Sequence, residues 1–282
     1  MAREQILRRL WSVYSRFYDG LLDLVPYQEL LDDAVRELDA GAGDTVVDLG
    51  CGTGNVAAAV LRAQPTVELV AVDSSADMLE VARRKLHSHP GARVELADVN
   101  EWLSCSPTSS ADRVVSVNVL YTFDEDSRTT FWSEALRVLA PGGRLVVVTS
   151  DRAGIGPVVR EHYRRRGSVR RALTPRLAAV GLLNLVIWLF ESEGVFDPVP
   201  VETLRQECER AGGAVVSSWR CYGGADDGVD VTMVVEPAID LHEAADRPID
   251  LTGADRPQTG SGSHPTTTAA APDPPSAGSS TR

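Results

Sequence analysis

From residue 44 onward, short unbroken apolar runs take turns with stretches in which apolar residues recur every three to four places. The runs fall at 45–50, 67–73, 93–99, 112–120 and 143–150; the stretches follow Gly54, cover SADMLEVARRKLH (75–87) and cover FWSEALRVL (131–139). Continuous apolar strands separated by helices predict a parallel sheet covered on both faces, because such strands bury both of their sides. The alternation stops at 151–197, which holds no clear strand and reads as a helical insertion. VETLRQECERAGG (201–213) then predicts a helix ending at its glycines. AVVSSWRCY and VDVTMVVEP flank GGADDG, whose glycines and aspartates favour a reversing turn, so the sheet is expected to end in an antiparallel hairpin. The fold class is therefore α/β: seven strands, mostly parallel, with helices on both faces and the insertion placed as a lid.

The two ends differ from this body. In MAREQILRRLWSVYSRFYDG the apolar positions Ile6, Leu10, Val13, Phe17 and Leu21 keep helical spacing, which predicts an amphipathic helix within an N-terminal cap, 1–43. Interleaved arginines deny this segment the apolar run of a signal peptide. Residues 237–282 hold seven of the chain's 16 prolines among Ser, Thr, Gly and Ala, too little apolar surface to offset chain entropy, and are expected to be a disordered tail. One domain, 1–236, is left.

Charge and composition narrow the function. A formal net charge of -12 argues against general nucleic-acid binding, which needs a basic surface. Cys51, Cys105, Cys208 and Cys221 form no C-x-x-C pair and the five histidines show no metal spacing, so a cytoplasmic, reduced, metal-free protein is expected.

The chemistry concentrates in VVDLGCGTGN (46–55), where Gly50, Gly52 and Gly54 stand between a strand and a helix start. Glycine permits positive φ and lets a ligand lie against the backbone without meeting a Cβ. Such a bend lies where open α/β sheets form their binding crevice, at the carboxyl end of a strand. Two ligand classes fit. Gly52-Thr53-Gly54-Asn55-Val56-Ala57 satisfies the dinucleotide pattern, with Asp73 at about the expected distance. An adenosyl sulfonium is the other.

VVDLGCGTG resembles the first motif of class I S-adenosylmethionine-dependent methyltransferases, and VAVDSS, ELADVN, VVSVNVLYTF and LAPGGRLVVV are similar to the family's later motifs in order. The resemblance covers about 40–150, with the terminal hairpin matched more loosely, and implies a Rossmann-like fold. It implies Asp48 beside the methionine part of the cofactor, Gly50, Gly52 and Gly54 wrapped around it, Asp73 on both ribose hydroxyls, Asp98 on the adenine amine and Asn118 near the methionine portion. Cys51, Ser74, Met78 and Val99 are implied as further contacts. Each has a structural alternative: Asp48 bonding backbone amides, Asp98 capping a loop, Met78 as helix core. SRFYDGLLDLVPYQELL followed by DLGCGTGN also resembles the ubiquinone/menaquinone-biosynthesis and phospholipid methyltransferase branch, which implies a bulky apolar acceptor.

In such an enzyme S-adenosylmethionine supplies the methyl and leaves as S-adenosylhomocysteine, and no dedicated catalytic residue is compulsory. Tyr14, Tyr18, His162 and Tyr163 are the candidate bases, with packing or plain surface as their alternatives. The acceptor is expected to be a small molecule held by the N-terminal cap and the insertion. There LAAVGLLNLVIWLF (177–190) is too short for a comfortable membrane span, and it follows eight arginines, among them Arg160, Arg164, Arg165 and Arg166. This pairing predicts a lipid-, isoprenoid- or polyketide-like acceptor with an anionic group, or peripheral lipid contact through 160–190. A nicotinamide-dependent oxidoreductase and a catalytically silent cofactor-binding partner are the other classes. The atom methylated and the oligomeric state stay open.

Overall fold

Every second residue of β1 (Thr45–Leu49) enters a different core, and this decides its place in the sheet. Val46 packs with Ala71, Val115 and Val146 on one face, while Val47 and Leu49 pack with Val70, Val114 and Val147 on the other. A strand apolar on both faces has to be covered twice, so it lies inside. The computed structural model describes residue 15 and residues 18–152, 156–166, 198–223 and 228–238.

Within these, β2 (Glu68–Asp73), β3 (Ala92–Leu96), β4 (Ala111–Val117) and β5 (Leu139–Ser150) run parallel to β1, and β7 (Asp230–Pro237) lies antiparallel between β5 and β6 (Gly213–Cys221). The spatial order is β3-β2-β1-β4-β5-β7-β6, so the chain reverses its direction of travel between β1 and β4. That reversal opens a crevice at the strands' carboxyl ends.

The first face is covered by α1 (Val25–Leu38), α2 (Asn55–Ala63) and α3 (Ala76–Leu86), and the second by α4 (Val99–Cys105), α5 (Glu125–Val138) and α7 (Val201–Arg210). Here Trp132 and Phe131 meet edge to face at 5.5 Å between ring centroids. Arg128 of α5 binds Glu207 of α7 through several short contacts, the shortest 3.0 Å, with both side chains buried. Each partner satisfies a charge that neither core could hold alone.

Two expectations change. The third strand ends at Leu96, and Val99 starts α4 because Asp98 accepts hydrogen bonds from the Asn100 and Glu101 amides and so caps it. The helix containing FWSEALRVL begins six residues earlier, at Glu125, where Asp124 accepts from the Ser127 amide. Within the insertion, Gly156–Arg166 forms α6. Tyr14 and most of the N-terminal amphipathic segment, the apolar stretch 177–190 and the tail from 239 lie outside the described residues.

Candidate functional site

The crevice holds an open cleft of about 180 Å³. Its walls come from the ends of successive strands: Gly50 and Gly52 after β1, Asp73 and Ser74 after β2, Asp98 and Val99 after β3, Asn118 after β4 and Ser150 at the end of β5.

The bend after β1 is folded back on β2, since the Gly50 and Cys51 amides both donate to the Val72 carbonyl, at 2.8 and 2.9 Å. This turns the Gly52 amide onto Asp73 Oδ2 at 2.8 Å. Gly52 has φ +54, and a Cβ there would meet nothing nearer than Tyr18 Cε1 at 3.9 Å. Its missing side chain is therefore space given to the cleft. Gly50 and Gly54 are glycines for packing reasons. A Cβ on Gly50 would overlap Val119, and one on Gly54 would stand 3.2 Å from the Ala82 Cβ, where α2 crosses α3.

Asp48 and Cys51 are buried and do not line the cleft. Asp48 Oδ2 accepts the Ala57 amide at 3.1 Å and so fixes the first turn of α2, while Oδ1 has no hydrogen-bond partner. Burial, with the Asp73 charge nearby, pushes its carboxyl up to about 7. Burial likewise raises the Cys51 thiol well above its ordinary value, which keeps it neutral and inert. Of the implied contacts, Gly50, Gly52, Asp73, Ser74, Met78, Asp98, Val99 and Asn118 reach the cleft, while Asp48, Cys51 and Gly54 hold its framework.

Asp73 accepts one backbone amide on each oxygen, Gly52 on Oδ2 and Ser75 on Oδ1, both at 2.8 Å. The Ser74 amide also bonds this carboxylate, and what remains of its about four acceptor sites faces the cleft. Asp98 uses Oδ1 for its helix cap, and this leaves Oδ2 to a donor from the cleft. Its two readings, cap and contact, are compatible. Met78 is both buried helix core and cleft wall. Asn118 takes the left-handed conformation, φ 59, with its amide donating to the Val148 carbonyl at 2.7 Å. Asparagine tolerates this turn better than most residues, and it carries the side chain over the β4 end.

A short 3-10 helix, Tyr18–Asp23, closes one side. Lys85 of α3 reaches Asp19 Oδ1 at 2.8 Å, Asn55 Oδ1 at 2.5 Å and Thr53 Oγ1 at 3.2 Å, tying this segment to the glycine bend and bringing Tyr18 into the wall. His162 is buried, contrary to the surface alternative, because α6 packs on α1 and its Nδ1 accepts the Val25 amide at 3.2 Å. Neither His162 nor Tyr163 lines the cleft. Two of the clustered arginines are committed elsewhere: Arg164 and Arg165 bind Glu161 of their own helix, and Arg165 also binds Glu29. Sequence reasoning missed Tyr121, Phe123, Ser150 and Tyr222 in the wall. Their signal was position alone, each standing at or just after a strand end.

Known proteins match the part of the chain that builds this cleft. Residues 46–143 match the family model described as a methyltransferase domain. A trans-aconitate 2-methyltransferase of Azoarcus sp. (strain BH72) is 38% identical over 133 residues, 47% of this chain and 44% of that one. A 23S rRNA (guanine(748)-N(1))-methyltransferase of Streptomyces fradiae is 32% identical over 162 residues, 55% and 52% of the two chains. The chain thus spans about half the length of the curated relatives it matches. Among solved structures, geranyl diphosphate C-methyltransferase from Streptomyces coelicolor A3(2), in complex with Mg2+, geranyl diphosphate and S-adenosyl-L-homocysteine, shares the fold with a TM-score of 0.54 at 14% identity, covering 75% of this chain and 79% of that one.

Proposed function

We propose, from the premise that residues 46–143 are a class I S-adenosylmethionine-dependent methyltransferase domain, that the chain transfers a methyl group from S-adenosylmethionine to a small-molecule acceptor. The observation that carries the proposal is the cleft wall itself: an open Gly52, the Asp73 carboxylate facing the cleft, and Asp98 with Oδ2 uncommitted, all on consecutive strand ends.

Asp73 would take the ribose hydroxyls, Asp98 the adenine amine and the Gly52 backbone the amino-acid portion. When bound, the cofactor supplies a methyl activated by a cationic sulfonium. The residues of the chain do the rest by position. Met78 and Val99 give an apolar wall to the base, and the Tyr18–Asp23 segment, held by Lys85, covers the cleft and excludes water. Fixing two reactants in line can lower the barrier by several kcal/mol, about 7–11 in well-oriented models.

The acceptor is bulky and apolar in this reading, because Tyr18, Tyr121, Phe123 and Tyr222 bring aromatic surface to the same cleft. The relatives act on acceptors as different as trans-aconitate and rRNA, so their names do not fix it. A net charge of -12 weighs against RNA. Isothermal titration tests the core of the proposal. S-adenosylhomocysteine should bind and NADH should give no heat; the reverse result would identify an oxidoreductase.

A further inference from the structure

We infer that Ser150 and Asp230 form a proton-accepting pair at the acceptor end of the cleft, so that the group methylated is a hydroxyl or amine presented to Ser150 Oγ. The inference rests on the methyltransferase reading and names the acceptor chemistry within it.

Ser150 closes β5 and Asp230 opens β7, and the antiparallel register sets the two opposite each other. The Ser150 hydroxyl donates to Asp230 Oδ1 at 2.6 Å. Ser150 also lines the cleft, on the same wall as Asn118, whereas Asp230 is 1% exposed and reaches the cleft through these two neighbours. A serine whose proton is already donated inward offers its lone pairs outward, so it receives a donor from the cleft. A carboxyl this deeply buried has no packing reason to be there, since asparagine or threonine would fill the space without the desolvation cost.

Among the described residues Asp230 forms no ion pair. Asp151, next along from β5, is held by both terminal nitrogens of Arg220 at 2.8 Å, which commits that cation to another acid. Cys221 of β6 faces Asp230 across the β6–β7 register with a neutral thiol, raised by burial and then by the Asp230 charge, and Asp33 of α1 acts on the same thiol. Burial pushes the Asp230 carboxyl up to about 7, Asp151 adds to the rise, and hydrogen bonds from Ser150 and Asn118 pull the other way. The carboxyl is thus poised to take a proton at neutral pH.

The step balances. The acceptor X–H bond breaks and X uses a lone pair to form the X–CH3 bond. The proton passes to Ser150 Oγ as the serine's own proton moves to Asp230 Oδ1. The electrons of the broken C–S bond stay on sulfur, so one positive and one negative charge disappear together.

The test uses full-length protein with 13C-labelled aspartate carboxyls, saturated with S-adenosylhomocysteine, beside Asp230→Asn and Ser150→Ala. Two aspartate carboxyl resonances should titrate near neutral pH, those of Asp48 and Asp230; the Asp230 resonance is the one that should vanish in Asp230→Asn and move to higher pH in Ser150→Ala, which has lost a hydrogen bond that favours the anion. Asp230→Asn, buried behind the wall and still able to accept from Ser150, should bind S-adenosylhomocysteine within about threefold of the parent. Methyl transfer is then followed across phenols, alcohols, amines, thiols and carbon acids. Hydroxyl or amine transfer should rise about tenfold per pH unit below the titration midpoint, and Asp230→Asn should lose that limb with a fall of roughly 10²–10⁴. A purely structural Asp230 would lower the melting temperature and keep the limb, which overturns the inference. Transfer confined to thiols or carbon acids, or a carboxyl still ionised at pH 5, also overturns it. If no compound is methylated, the carboxyl titration decides alone, and Ser150→Ala supplies it should Asp230→Asn not fold. Failure of the parent to bind S-adenosylhomocysteine sinks the methyltransferase reading instead.

Discussion

Asp73 joins two jobs in one carboxylate, pinning the glycine bend through Gly52 and facing the cleft with its remaining acceptor sites. Asp73→Ala should therefore weaken S-adenosylhomocysteine binding by roughly 1–3 kcal/mol, the cost of leaving buried polar groups unpaired, as read by calorimetry. Unchanged affinity would mean that the ribose lies elsewhere. Asp48 makes a different prediction. Its carboxyl is raised to about 7 in the folded chain and is ordinary in the unfolded one, so the folded state holds more protons between about pH 4 and 7. The contribution of Asp48 to stability accordingly falls as pH rises through that window and is level above it. Asp48→Asn, whose Oδ1 can still accept the Ala57 amide, should gain melting temperature relative to the parent on going from pH 5 to pH 8; a constant difference would show an ordinary carboxyl. The acids at strand ends were legible in the sequence because the motif spacing marks them. That Asp98 caps α4 was not read, although Asp98-Val99-Asn100-Glu101 has the cap-x-x-Glu form. The framework roles of Gly54 and Cys51 were not legible, because they depend on Ala82 and on burial that only the fold creates.

Strands β1, β2, β4 and β5 could be read directly, since a strand buried on both faces carries apolar residues on successive positions, as in Val46-Val47 and Val114-Val115. Helices were read less completely. α4 is short and follows a strand with only a two-residue gap, so its Val99 continued the apolar run of the strand. α6 is arginine-rich, and nothing local reveals that its His162 turns inward to accept an amide from the start of α1. The 3-10 segment Tyr18–Asp23 is held to the glycine bend by Asp19, which accepts from Lys85 at 2.8 Å and from the Thr53 hydroxyl at 2.7 Å, with the part-buried ammonium shared among three oxygens. Lys85→Met should loosen that segment, weakening S-adenosylhomocysteine binding several-fold and speeding proteolysis within residues 18–23. Cleavage at the parent rate would place the hold in packing and in the Thr53 bond. Between α5 and α7, Arg128→Met leaves Glu207 buried and without its charge partner, which should cost about 3–5 kcal/mol in urea unfolding. A loss below about 1 kcal/mol would show that water reaches the pair.

The order β3-β2-β1-β4-β5-β7-β6 explains why residues as far apart as Gly52 and Ser150 share one cleft: parallel strands deliver all their carboxyl ends to one edge of the sheet. Fold class followed from alternation, whereas the acceptor side depends on which strand ends β7 brings together, a fact of register that spacing does not encode. β7 runs to Pro237, and the Ala238 amide still donates to the Gly212 carbonyl at 2.9 Å, so the sheet's hydrogen bonding reaches this residue. A chain ending at Ala238 should keep the melting temperature and ligand affinity of the full sequence, and a large fall in either would show that the segment beyond docks on the body. Among the described residues no helix is long and apolar enough to cross a membrane. The most direct measurement of the central claim is a crystal structure with S-adenosylhomocysteine bound: the ribose hydroxyls should lie within hydrogen-bonding distance of Asp73, the adenine beside Asp98, and the amino-acid portion along Gly52. A nucleoside seated outside this cleft, or turned with its ribose away from Asp73, would contradict it.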